Sequence, residues 1–196
     1  MSSLKTARLL GNQPQFSREA HRALFFISLA ATLPVIVTLL TLNRPLQNET
    51  APQGVVSLEM ARTVDQQNRI LNSWNEPARL RLAFSIGLDF FCVVVFTSSL
   101  VLACIWLADA SHRHGASSSN LGLALAWALG IMGVLWILQN TLLAAALFGH
   151  ATALTARITF GCALLKFAVM MLGLAYMLGS VAMLLRGQFR GIATHN

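Results

Sequence analysis

The sequence predicts an all-α protein: a four-helix transmembrane bundle with a short helical extracytoplasmic loop between spans 1 and 2. Three observations predict it. Apolar residues make up 56% of the chain and charged residues 11%, against roughly 45–50% and about 25% in soluble domains, and a soluble chain of this size could not hide so much apolar surface. The apolar residues fall into four long runs separated by polar segments. Each run also supplies the ~20 helical residues that a ~30 Å hydrocarbon core requires at 1.5 Å per residue.

Residues 1–22 form a polar N-terminal tail carrying Lys5, Arg8, Arg18 and Arg22. The first span covers residues 23–42 and contains no charge. A signal peptide is the rival reading, but its apolar region is usually shorter and ends in an A-x-A-like site, whereas this run ends in NRPLQNE. Pro34 removes one helical hydrogen bond and predicts a bend. Residues 43–81 form the outer loop, with Pro45, Pro52 and Gly54 marking irregular chain at its start. Thr63 and Gln66 have capping-box spacing, which predicts a short helix from Val64 to about Trp74. Its apolar positions Val64, Ile70, Leu71 and Trp74 share a face suited to the membrane surface or the bundle mouth. Asn75 or Glu76 then caps a new helix with Pro77 in its first turn.

That helix becomes the second span, residues 82–107. A polar, Ser-rich loop follows, in which His112, Arg113 and His114 have no third ligand in the sequence and read as a solvated interfacial loop. The third span covers residues 121–148, GHATALT makes a tight turn, the fourth span covers residues 156–185, and 186–196 is a C-terminal tail. The membrane domain is thus 23–185, with no internal repeat.

The net charge is +7, but the basic residues are spread thinly at the ends of the apolar runs, with no basic cluster and no zinc or RNA motif. Nucleic acid is therefore not an expected partner; topology and lipid headgroups account for the charge. Lys5, Arg8, Arg18, Arg22, Arg113, Arg186 and Arg190 fall on one side, seven in all; Arg44, Arg62, Arg69, Arg79, Arg81 and Arg157 fall on the other, six in all. The four before the first span tip the choice and predict both termini in the cytoplasm. The three cysteines, Cys92, Cys104 and Cys162, lie in apolar runs without a C-x-x-C and read as small core residues; only Cys92 and Cys162 share a depth that would allow a pair.

The apolar runs are interrupted by a few groups that need a reason. Asp89 lies six residues into span 2 from Ala83, Asn140 eight residues before Phe148, and Lys166 ten residues after Ala156. At 1.5 Å per residue these positions are ~9, ~12 and ~15 Å from the outer boundary. Three helices place polar groups at nearly one level. An unpaired Asp or Lys at the centre of a spanning helix costs ~2.5–3.5 kcal/mol on the insertion scale. An Asp89–Lys166 ion pair with Asn140 or Gln139 alongside is therefore expected. The helical faces agree: Ser85, Asp89, Cys92, Phe96 and Ser99 on span 2, Gly133, Trp136 and Asn140 on span 3, and Thr159, Cys162, Lys166, Met170, Gly173 and Met177 on span 4. Glu59, the one acid in the apolar island GVVSLEMA, is expected to fold over the mouth and join. Trp106, Trp127 and Trp136 read as belt or core residues.

The spacing of SLEMA, LNSW, IGLDFF, LQN and LKF resembles a group of small bacterial four-span integral membrane proteins of uncharacterised activity. Its members carry a Phe-Glu-Leu-Ala-like outer-loop box, a tryptophan after a short helix, a Leu-Asp-aromatic start to span 2, an acid-Asn pair in span 3 and Lys-Phe in span 4. The likeness covers residues 55–180 and implies Glu59, Trp74, Asp89, Asn140 and Lys166 as site positions in a bacterial inner membrane; it brings no activity with it. This chain departs at Gln139, where an acid is usual, and at Trp136, where another acid often stands.

Three function classes are compatible. The first is a binding or accessory protein whose cluster of Asp89, Gln139, Asn140, Lys166 and Glu59 opens to the outer side for a membrane lipid, a small ligand or a partner helix. The second is a small oligomeric transporter or proton-coupled channel gated by the Asp89–Lys166 pair. An enzyme with Glu59 and Asp89 as acid and base is the weakest, because there is no nucleophile set, no P-loop and no H-E-x-x-H, and no metal or other cofactor is implied. A homo-oligomer or a larger membrane complex fits either of the first two.

Overall fold

The computed structural model describes residues 15–113 and 119–193. They form an all-helical protein: α1 (Gln15–Asn43), a 3-10 turn (Arg44–Leu46), α2 (Val55–Glu59), α3 (Val64–Asn72), α4 (Glu76–Arg113), α5 (Ser119–Leu147) and α6 (Ala153–Ala193). Four of these, α1, α4, α5 and α6, are long and apolar enough to cross a membrane, over Glu19–Leu46, Glu76–Ser111, Asn120–Leu147 and Ala153–Met183.

The long helices run past the expected spans because nothing in the flanking sequence stops them. The N-terminal segment before residue 23 contains Arg18, Glu19 and Arg22, which tolerate helix, so α1 starts at Gln15; the earlier part of the expected tail lies outside the described residues. Pro34 sits inside α1 without ending it. The expected loop after span 2 shrinks for the same reason: α4 reaches Arg113 and α5 starts at Ser119, so His114 and most of the Ser-rich stretch lie outside the described residues. α6 likewise carries on through much of the expected C-terminal tail, and residues 194–196 are outside the described residues.

Helix ends at the other pole of the bundle are fixed by side chains. Asn75 caps α4, its Oδ1 accepting from the Ala78 amide at 3.0 Å. Thr63 caps α3, its Oγ1 accepting from the Gln66 amide at 3.2 Å, while Gln66 Oε1 accepts from Arg62 N at 2.8 Å, one residue upstream of the cap position. α5 stops at Gly149, whose φ of 84° only glycine adopts readily. There the His150 amide donates to Ala145 O and the Gly149 amide to Ala146 O, the Schellman pattern. Thr152 and Thr155 bond reciprocally to start α6.

The long helices form a row with one open side. α1 packs on α4, α4 on α5 and α5 on α6, with α4 also touching α6; among the described residues α1 and α6 do not pack as neighbours. Two apolar cores result. At the pole carrying the 44–75 segment, here the loop end, Leu46, Leu58, Ile70, Leu71 and Trp74 pack on Leu82, Ile86, Leu143 and Ala146. Toward the opposite tail end, Val93, Leu100, Cys104, Leu129 and Met132 form the second core with Tyr176. Gly122 is the closest approach there: a Cβ at this position would collide with the Tyr176 hydroxyl and lie 2.8 Å from the Ala108 Cβ. Small residues at such crossings let membrane helices approach. The outward faces are apolar, with Trp127 72% and Phe84 61% exposed.

Candidate functional site

The 44–75 segment closes the loop end as a small capping unit. Trp74 is buried and its indole Nε1 donates to Leu46 O at 2.8 Å, joining the end of the segment to its start. Asn43, the last residue of α1, donates to Gln53 O and accepts from the Val55 amide at 2.8 Å, which seats the start of α2. That seating needs Gly54: its φ is 62°, and a Cβ would overlap the Asn43 amide. α2 is the element that short-range sequence patterns miss, since five residues are too few to show a helical period. It touches α6, and it carries Glu59 at its end.

Glu59 points into the bundle and meets Lys166 of α6, with Nζ donating to Oε2 at 2.7 Å. Both are buried, at 6% and 5% exposure. The expected Asp89–Lys166 ion pair is therefore corrected: Lys166 pairs with the cap. Counting depth along the helix axes brings the three polar positions to one level, but it omits a residue that enters from above on a separate element. A lysine side chain is long enough to reach up to it.

Asp89 is held by α5 instead. Its Oδ2 accepts from Trp136 Nε1 at 2.8 Å and from Asn140 Nδ2 at 2.9 Å. Trp136 also presents its ring face to Lys166, with Nζ 4.7 Å from the centroid, and the Phe167 ring lies 5.0 Å from the same atom. Trp136 thus links the two halves of the cluster, Glu59–Lys166 and Asp89–Asn140. Its role was not read from sequence, because a tryptophan in an apolar run looks like belt or core. The usable signal was its spacing, one helical turn before Asn140 on the same face.

Gln139 takes no part. It is fully enclosed, does not line the cavity described below, and its amide makes no hydrogen bond among the described residues. Asn140, the next residue along the helix, occupies the direction that the sequence left open between the two amides. Cys92, Cys104 and Cys162 are free thiols, all buried, so no Cys92–Cys162 bridge forms. Among the described residues no group of three His, Cys, Asp or Glu side chains could hold a metal ion.

The cluster borders a cavity of about 350 Å³, near the small end of the ~300–1,000 Å³ typical of ligand sites. Asn43, Glu59, Ser85, Asp89, Asn140 and Lys166 supply its polar part. Ile36, Leu39 and Leu40 of α1, Phe96 of α4, and Phe167 and Met170 of α6 supply most of the apolar wall. α1 and α6 both line it without packing on each other, so the cavity lies in the open side of the helix row. Compared with protein-family models, with curated proteins and with solved structures, the chain matches none of them.

Proposed function

We propose that the chain is a multi-pass protein of the bacterial inner membrane, both termini cytoplasmic, that binds a small amphipathic molecule in the cavity between α1, α4, α6 and the cap. The observation that carries the reading is the cavity itself: an apolar wall with a few convergent polar groups at one end is the usual make-up of a ligand site. The basic residues ahead of the first span support the orientation, which puts the capped end on the outer side. A membrane lipid is the partner class that such an environment offers most abundantly. The transport reading needs an Asp89–Lys166 gate; with Lys166 paired to Glu59, binding is the better-supported function.

The test is native mass spectrometry of the full chain purified in mild detergent. Wild type is expected to retain a non-covalent small molecule, and Leu39→Trp, which fills the cavity from the α1 side, is expected to lose it. Bare wild-type protein, or a molecule retained equally by Leu39→Trp, would remove the reading.

A further inference from the structure

We infer that the occupant of this cavity is cationic: an amphiphile with a protonated amine that pairs with Asp89 and an apolar body that lies along the open side between α1 and α6. The inference rests on the binding function proposed above and names the chemistry of its ligand.

The charges on the cavity do not balance. Its charged side chains are Glu59, Asp89 and Lys166, two acids and one base. Lys166 is matched by Glu59 at 2.7 Å. Asp89 is held by two neutral donors, Trp136 and Asn140, which orient the carboxylate without supplying a countercharge. A carboxylate held this far into an apolar bundle calls for a partner of opposite sign.

The geometry leaves room for one. Both donors converge on Oδ2, so Oδ1 has no hydrogen-bond partner among the described residues. Asp89 lines the cavity, and Oδ1 is not among the side-chain atoms sealed off by protein without a partner, so it is open to an occupant. The surrounding wall suits a cation. Phe96 stands edge-on to Trp136 with centroids 6.1 Å apart, and both border the cavity near Asp89. Trp136 and Phe167 already accept the Lys166 ammonium over their faces, and aromatic rings near a carboxylate are a common way to hold an amine.

Competing chemistries fit less well. An anionic headgroup would face two carboxylates and find the one lysine already paired. A neutral alcohol could donate to Oδ1 but would leave the charge unmatched. The apolar part of the ligand has its place against Ile36, Leu39, Leu40 and Met170, where α1 and α6 do not pack as neighbours.

The test uses three water-soluble probes of equal chain length, hexylamine, hexanol and hexanoate, titrated by calorimetry into the full chain in lipid nanodiscs, with empty nanodiscs subtracted. The ammonium forms an ion pair with the carboxylate, whereas the alcohol meets it with a hydrogen bond and no countercharge, so hexylamine is expected to bind about tenfold more tightly than hexanol. Hexanoate is expected to bind most weakly. Asp89→Asn keeps the shape and both donors' partner, removes the countercharge, and should therefore weaken hexylamine far more than hexanol, so that the tenfold preference is lost. Equal affinities for hexylamine and hexanol, tighter binding of hexanoate, or a hexylamine preference that survives Asp89→Asn would overturn the inference. If Asp89→Asn does not fold, the wild-type ranking of the three probes decides alone. Failure of all three probes overturns the amine assignment, whereas the mass-spectrometric comparison of wild type with Leu39→Trp separately decides whether the cavity binds anything.

Discussion

At the loop end of the bundle the helices are tied together through a polypeptide cap, by Trp74 on the Leu46 carbonyl, Asn43 on the Val55 amide and Glu59 on Lys166. Toward the tail end the same helices meet by close packing, with Gly122 under Tyr176 and, among the described residues, a weak hydroxyl contact between α1 and α4, Thr32 to Ser99 at 3.4 Å. The difference teaches where a membrane protein can support a cavity. Van der Waals packing requires contact everywhere, so a gap weakens it directly. Directional bonds hold elements at fixed separations and leave space between them. The cavity accordingly sits where the tied end meets the packed end, with Trp136 belonging to the packed core and bonded into the polar cluster.

The largest test of this contrast is Lys166→Met. Removing one member of a buried pair leaves Glu59 uncompensated and is expected to cost about 3–5 kcal/mol, most of it recovered in a Glu59→Leu, Lys166→Met double variant. The midpoint for loss of monodisperse protein on heating in detergent measures both. A double variant no better than the single would mean that the cap is not held by this pair. Trp74→Phe is next: the buried Leu46 carbonyl loses its donor, for about 1–3 kcal/mol. Here the cap should become susceptible to limited proteolysis within 44–75 while the spanning helices stay intact. Gly122→Ala crowds Tyr176 and is expected to cost about 1–3 kcal/mol as overpacking, this time with no added cleavage in 44–75. Equal cleavage in the two variants would show that the ends are not independent. The smallest effect belongs to Thr32→Val, which removes one interhelical hydroxyl contact of a kind that averages about 0.6 kcal/mol.

The sequence and the structure agree where a signal is long and part where it is short. Four apolar runs of about 20 residues or more cannot be mistaken, and the all-α architecture follows from them. Asp89 and Asn140 were legible as neighbours because helical rise converts sequence position into depth. Glu59 was legible as a member of the cluster, from the apolar island around it, but not as the partner of Lys166, since rise along an axis carries no information about a five-residue helix that folds back into the mouth. Gln139 and Asn140 looked equivalent because adjacent residues on a helix differ by a rotation that sequence alone cannot reference to its neighbours. Several helices extend past the apolar runs because apolarity marks where a chain suits hydrocarbon, whereas a helix ends only where a cap or breaker ends it, as Gly149 does for α5.

The Glu59–Lys166 pair also sets an order of events during synthesis, for its members stand 107 residues apart in the chain. Glu59 is synthesised long before the helix that carries Lys166. Until that last helix arrives Glu59 has no lysine to pair with, although Asn43, Trp74 and the α4 and α5 side chains already seat the cap. The ion pair is therefore the one tie of the cap that waits for α6, and a chain interrupted before α6 leaves Glu59 without its partner. Formation of the pair would then report that the last helix has taken its place.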